Sequence, residues 1–335
     1  MKEREGFGDC LSQKKIQAAA DFLKDLVHHT PIRTSTTLDR LLDRNIYMKM
    51  ENEQKSGAFK VRGACFKIGS MKENDAKRGV IAASAGNHAQ GVALAAAKRG
   101  ITAKIYMPIH TPKPKVEATR NYGAKVELAG ETFQEALLAA QKEQEQTGAT
   151  FIHPFDDVDI IAGQGTIAVE MLADQPNLDC IIVPIGGGGL ISGIAFAAKQ
   201  IKPSIRIIGV QTEAACATYH AFHKHLIPSL TCTTIAEGIA VKEPGKVTMP
   251  LIQQYVDDVV TVSEHDIAAA ILQLLERHKT LAEGAGAAAF AALMRHHQRI
   301  QSKHCGIVIS GGNFDLQKLS GLHELTMHLP ANSMA

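Results

Sequence analysis

The residues best suited to chemistry stand at four places along the chain. In "VPIGGGGLISG" (183–193), Gly186, Gly187, Gly188 and Gly189 follow the apolar run Cys180-Ile181-Ile182-Val183. Glycine costs backbone entropy on folding, so four in succession need a reason. A glycine-rich turn from a parallel strand into a helix exposes backbone N–H groups and the positive helix end. Both attract an anion, most often a phosphate. The stretch lacks the GK[ST] of a P-loop and the GxGxxG with a later acidic residue of dinucleotide sites. A tight turn that holds no ligand is the alternative.

The second place is "SGAFKVRGA" (56–64), where Lys60 stands between Phe59 and Val61. Apolar surroundings push a lysine amine toward its neutral, nucleophilic form, as a Schiff-base lysine requires. A solvated helix lysine is the commonplace alternative. The third is "SAGNHAQG" (84–91). Ser84, Asn87 and Gln90 bring side-chain donors, and the small Ala85 and Gly86 leave backbone N–H groups open, as in a carboxylate nest at a helix start. The alternative is an N-capped helix with Asn87 or Ser84 as the cap. The fourth is "SGGNFD" (310–315), again a strand followed by glycines.

Strands and helices must bring these tips together. "NIYMKM" (45–50), "GVIAAS" (79–84), "TAKIYMP" (102–108), "AKVELA" (124–129) and "ATFIHP" (149–154) read as strands, as do "CIIVPI" (180–185), "RIIGVQ" (206–211), "DVVTVS" (258–263) and "CGIVIS" (305–310). Helical patterns such as 88–100 and 131–148 lie between them, with Gly100, Gly123 and Gly148 where helices should stop. This alternation predicts an α/β protein with parallel sheets covered on both faces. The tips then gather at the carboxyl edges of strands, where such proteins bind ligands. Residues 70–154 are expected to form an inserted small domain, with 1–69 and 155–335 as the large cofactor-binding domain.

The 335 residues are 45% hydrophobic and 21% charged, with a formal net charge of +2. Nothing in that balance recommends a nucleic-acid or membrane partner. No apolar run is long enough for a transmembrane helix, and the polar start lacks the centre of a signal peptide. The six cysteines are scattered without a CxxC pair, which fits reduced thiols in a cytoplasmic protein. His220, His223 and His225 lie close in sequence, but helical geometry brings only His220 and His223 onto one face, so no metal site is expected.

"GAFKVRGA", "SAGNHAQG", "AGQGT", "IGGGGL" and "SGGNFD", in that order, resemble the threonine/serine dehydratase branch of the fold-type II pyridoxal-phosphate enzymes. The likeness is close to catabolic-type threonine dehydratases and runs from about "HHTPIRTS" at residue 28 to "SGGNFD". It implies two parallel-sheet domains, as in the tryptophan synthase β-like fold, and pyridoxal 5'-phosphate as cofactor. By the same resemblance Lys60 would hold the cofactor as a Schiff base and later act as the base at Cα. Phe59 would pack beside the ring and Asn87 would hydrogen-bond its hydroxyl. Gly186, Gly187, Gly188, Gly189 and Leu190 would bind the phosphate, and Ser310 would face the pyridine nitrogen. Ser84, Ala85, Gly86, Asn87 and His88 would surround the substrate carboxylate. Glu283 lies in a segment that lines the site in relatives, where it either orients the cofactor or caps the helix beginning near Gly284.

The implied reaction is loss of water from L-threonine, and from L-serine, to give a 2-oxo acid and ammonia. A neutral Ser310 leaves the ring a modest electron sink, which favours prompt loss of a β-hydroxyl. Two departures matter. Ala58 stands where the family usually has serine. Ala85 stands where racemase relatives carry a second serine on the ring face opposite the lysine. Gln211 and Ala217 replace the acidic metal ligands of those relatives. L-Serine or threo-3-hydroxyaspartate as the preferred substrate is the main alternative. Serine racemisation, β-replacement and a non-catalytic sensor are further ones, the last opposed by the intact Lys60. The expected assembly is a homodimer or homotetramer. The short stretch after "SGGNFD" leaves no room for the isoleucine-sensing domain of biosynthetic relatives, so feedback through such a domain is not expected.

Overall fold

A computed structural model describes residues 11–327. Ten strands are formed by β1 (Ile32–Arg33), β2 (Asn45–Lys49), β3 (Val80–Ala83), β4 (Ala103–Met107), β5 (Lys125–Leu128), β6 (Thr150–Phe151), β7 (Cys180–Pro184), β8 (Arg206–Thr212), β9 (Asp258–Val262) and β10 (His304–Val308). They make a six-stranded sheet in the order β1-β2-β10-β7-β8-β9 and a four-stranded sheet in the order β5-β4-β3-β6. Nine of the ten follow the sequence reading. β1 was not foreseen, because two residues carry no periodicity, and it corrects the expectation of wholly parallel sheets: Ile32 pairs with Lys49 antiparallel.

The remaining pairs are parallel. β10 lies between β2 and β7, with Ile307 opposite Met48 on one side and Ile182 on the other. In the smaller sheet Ala82 pairs with Ile105, and Ile81 with Phe151. All four residues of β3 and all five of β7 are buried, as strands covered on both faces must be. Alternate residues feed different cores: Ile181 and Val183 belong to one cluster, Cys180 and Ile182 to another. The first cluster is continuous between the sheets, joining Val80 and Ile105 to Val183 and Ile207. The helix Phe133–Thr147 covers the other face of the smaller sheet through Ala136 and Ala140. It begins on a Thr132–Glu135 capping box and stops at Gly148, whose φ of 67° suits a left-handed cap. Gly100 ends the helix Asn87–Arg99 in the same way, with φ 73°.

Candidate active site

The four tips converge. The turn before Lys60 is fastened to the tip after β10: Ala58 bridges Gly311, and Phe59 N–H donates to the Ser310 carbonyl at 3.1 Å. The helix Asn87–Arg99 crosses close to Lys60, since a Cβ on Gly91 would sit 3.2 Å from the Lys60 carbonyl carbon. Lys60 Nζ donates to the Pro154 carbonyl at 2.8 Å. The neighbouring Phe155 ring lies against the glycine loop, where a Cβ on Gly187 would come within 2.3 Å of it.

Burial lowers the Lys60 amine to about 8, and the facing Glu283 carboxyl partly offsets this. The Phe59 ring centroid is 5.2 Å from the amine. Lys60 is half-buried and hydrogen-bonded rather than freely solvated, and its amine is shifted toward the neutral form a nucleophile needs.

The glycine loop is backbone by necessity. Gly188 has φ 96°, and a Cβ there would meet Thr248 at 2.8 Å. A Cβ on Gly189 would lie 2.8 Å from the Phe155 carbonyl oxygen, and one on Gly186 3.2 Å from Ile239 Cα. The helix Gly189–Ile201 starts at Gly188 with no side-chain cap, so its first-turn N–H groups have no side-chain acceptor from the N-cap. Thr248 Oγ donates to the Gly187 carbonyl at 2.7 Å, which turns that carbonyl aside. Asp156 fixes Thr248 in turn by accepting from the Lys246, Val247 and Thr248 N–H groups. Uncapped amides beside a lysine of lowered pKa fit a cofactor with a phosphate and an aldehyde. Leu190 is buried in the first turn of the same helix.

The "SAGNHAQG" loop is a second uncapped helix start. Neither Asn87 nor Ser84 caps it. The cap is Gly86, Asn87 is the first helical residue, and Ser84 Oγ accepts from Gly86 N–H at 3.3 Å. A Cβ added at Gly86 would touch nothing within 4 Å, so open space lies over this turn. His88 turns its ring away: Nε2 sits 2.8 Å from the Ile152 carbonyl, and burial together with Lys60 lowers the imidazole to about 3. Of His88, then, only the backbone is suited to a carboxylate. Ala85 is half-buried in the same loop and brings no hydroxyl.

At the β10 tip, Ser310 Oγ donates to the Ala285 carbonyl at 3.2 Å. Glu283 stands at the N-cap of the helix Gly284–Arg295 but makes no side-chain cap. Its Oε1 accepts from Asn87 Nδ2 at 2.6 Å instead. Burial raises this carboxyl to about 7 against the pull of that hydrogen bond. Sequence reasoning missed Pro154, Phe155, Asp156, Thr248 and Asn313. "HPFDD" after β6 carried the same signal as the other tips, a strand followed by polar residues. His220, His223 and His225 gather around Tyr219, with centroids 5.4, 4.6 and 6.2 Å from its ring. Among the described residues, no group of three or more His, Cys, Asp or Glu is arranged to hold a metal ion.

Sheets whose carboxyl edges bring together a lysine of lowered pKa, an uncapped glycine loop and an amide-lined turn fit an enzyme that works through a carbonyl cofactor. Comparison with known proteins gives the same class. The chain belongs to the family described as "Pyridoxal-phosphate dependent enzyme", whose pattern matches residues 23–311. It is 48% identical over 310 residues to the L-threonine ammonia-lyase of Thermotoga maritima, covering 92% of this chain and 77% of that protein. It is 42% identical over 323 residues to the catabolic L-threonine dehydratase TdcB of Staphylococcus aureus, covering 95% of this chain and 93% of that protein. The solved structure of maize serine racemase superposes with a TM-score of 0.88 at 37% identity, covering 94% of this chain and 97% of that one. Pyridoxal phosphate is the cofactor.

Proposed function

We propose that the chain is an L-threonine ammonia-lyase that also accepts L-serine. The observation that carries this reading is Lys60, whose amine is lowered to about 8 beside an uncapped glycine loop. The identity to two proteins named for threonine ammonia-lyase and dehydratase activity supports the substrate. When bound, pyridoxal phosphate supplies the carbonyl carbon for amine attachment and an electron sink that makes the substrate Cα proton acidic.

Lys60 Nζ leaves the Pro154 carbonyl to hold the cofactor, and later takes the Cα proton as general base. Backbone N–H groups of Gly186 to Gly189 and Leu190 hold the phosphate. Phe59 packs beside the ring. Asn87 hydrogen-bonds the ring hydroxyl. Ser310 faces the ring nitrogen after its hydroxyl rotates from the Ala285 carbonyl. Ser84, Ala85, Gly86, Asn87 and the His88 backbone receive the substrate carboxylate. Loss of the Cα proton and the β-hydroxyl releases an enamine. Its imine tautomer takes up water, so the net products are 2-oxobutanoate, or pyruvate from serine, and ammonia.

Residues 70–154 are proposed as the inserted small domain, since every strand of the four-stranded sheet falls within them. A cytosolic homo-oligomer is the proposed setting. The five free thiols among the described residues fit a reducing compartment, and no helix among those residues is long and apolar enough to cross a membrane.

The test is 2-oxo acid release from L-threonine, L-serine and threo-3-hydroxyaspartate, with chiral chromatography of the serine reaction. Threonine should be the best substrate and D-serine a trace product, because Ala85 has no proton to give the opposite face of Cα. No 2-oxobutanoate from threonine overturns the reading. D-Serine formed as fast as pyruvate overturns the role given to Ala85.

A further inference from the structure

We propose that Glu283 is a positioning residue for the reaction, acting through Asn87. This rests on the reading above, in which Asn87 meets the cofactor ring.

The hydrogen bonds fix the direction of the Asn87 amide without appeal to any ligand. The Ser56 carbonyl can only accept, so the Asn313 side chain must turn its NH2 group toward it, and that bond is 2.8 Å. The same Asn313 Nδ2 lies 2.8 Å from the Asn87 amide, which must therefore offer its oxygen. That leaves Asn87 Nδ2 to donate to Glu283 Oε1, at 2.6 Å. One N–H of Nδ2 is taken by Glu283, and the geometry of the planar group then sets where the second one points. Ser56 lies four residues before Lys60, so the chain of bonds joins the Lys60 turn, the β10 tip, the loop after β3 and the residue before the helix Gly284–Arg295.

Glu283 is built in rather than incidental. Its own N–H donates to the Gly311 carbonyl at 3.1 Å. A Cβ on Gly311 would fall 2.5 Å from Oε1, so the glycine makes room for the carboxyl. The side chain caps nothing, and the charged groups that bear on it are Lys60, Lys115 and Glu237. A half-buried acceptor with a single side-chain donor holds that donor in one direction. Removing it leaves the Asn87 amide held through its oxygen alone, by Asn313, and its NH2 group without a fixed direction.

The experiment is a double-mutant cycle on the holoenzyme: Glu283→Ala, Glu283→Gln, Asn87→Ala and Asn87→Ala/Glu283→Ala. The cofactor dissociation constant and the visible absorption band of the Lys60-bound cofactor are read alongside kcat. Glu283→Ala should weaken cofactor binding on the order of tenfold or more, the weight of one hydrogen bond to a charged group, and shift the band. Glu283→Gln, which keeps an acceptor, should restore most of the loss. In the Asn87→Ala background, Glu283→Ala should cost nothing further. Equal losses with and without Asn87 overturn the inference, as does a Glu283→Ala protein with unchanged affinity and band. If Glu283→Ala does not fold, Glu283→Met in both backgrounds decides, because it fills the space without an acceptor and its loss must then appear only where Asn87 is present. A parent protein that takes up no cofactor overturns the reading of the site instead.

Discussion

At the scale of single residues, Lys60 shows how much chemistry a neighbourhood can confer. Its amine stands at about 8 because burial disfavours the ammonium form. Below that value only a fraction is neutral and able to attack an aldehyde. Uptake of pyridoxal phosphate by the apoenzyme should therefore speed up about tenfold per pH unit below 8 and level off above it. Stopped-flow absorbance measures this, and a profile still climbing to pH 10 would mean that the amine is not perturbed. Lys60→Ala should lose at least about a hundredfold in turnover, the usual weight of a general base. Borohydride reduction of the parent followed by peptide mapping should label Lys60 alone. The site was legible here because each tip is a local signal, a β-like run broken by glycine or small polar residues. Pro154, Phe155 and Asn313 escaped because their part depends on which loop they meet across the fold. Glu283 stands out in the sequence, but its role stays open there between orienting the cofactor and capping a helix, because its partner is 196 positions away.

At the scale of elements, the helix Val158–Asp174 acts as a spacer between the lysine and the glycine loop. A Cβ on its Gly163 would lie 2.6 Å from Gly63 Cα in the helix that begins at Lys60. A Cβ on its Gly165 would lie 2.8 Å from the Gly193 carbonyl oxygen in the helix that follows the glycine loop. Between them, Gln164 Oε1 accepts from Gly63 N–H at 3.1 Å. "AGQGT" thus sets two backbones at contact distance, which is a packing role rather than a chemical one. Gly163→Ala should push the Lys60 helix outward. Overpacking of this kind costs about 1–3 kcal/mol, read as a lower urea midpoint, and cofactor affinity should fall with it. Unchanged stability and unchanged affinity would show that the contact is slack. Nine of the ten strand positions were legible from apolar runs broken by glycine or polar residues, and the two-residue β1 was not. The burial of Arg62 was not, because a charge in a sequence reads as surface. Arg62 meets Glu51 at 2.7 Å and Glu170 at 2.6 Å, and Lys49 meets Glu170 at 2.6 Å, so the buried charges balance.

At the scale of the whole molecule, two titrating groups beside the site, the buried His88 and the half-buried Glu283, pull stability in opposite directions. His88 has its folded value depressed to about 3 from 6.5. The unfolded chain binds a proton that the native state refuses, so the contribution of His88 is complete above pH 6.5 and is lost progressively as pH falls toward 3. Glu283 is raised to about 7 from 4.5, so its contribution is complete below 4.5 and lost as pH rises toward 7. The two oppose each other between 4.5 and 6.5, and only below 4.5 does His88 act alone. Acid unfolding should therefore steepen below pH 4.5, with His88 adding about 1.4 kcal/mol per pH unit. The mechanical route is specific: a protonated His88 still donates through Nε2 to the Ile152 carbonyl but carries a buried charge next to Lys60, and it escapes that cost only by leaving the carbonyl for water. Either course loosens the end of β6 against the start of the helix Asn87–Arg99, and with it the loop proposed to receive the substrate carboxylate. His88→Asn removes the titration and should flatten the acid limb by that slope, while lowering stability at pH 8 through lost packing. Urea unfolding of the apoenzyme at pH 8, 5.5 and 4 measures both effects. If the variant loses stability between pH 5.5 and 4 as steeply as the parent, the acid limb arises elsewhere, and His88 is a packing residue whose charge is irrelevant to the fold.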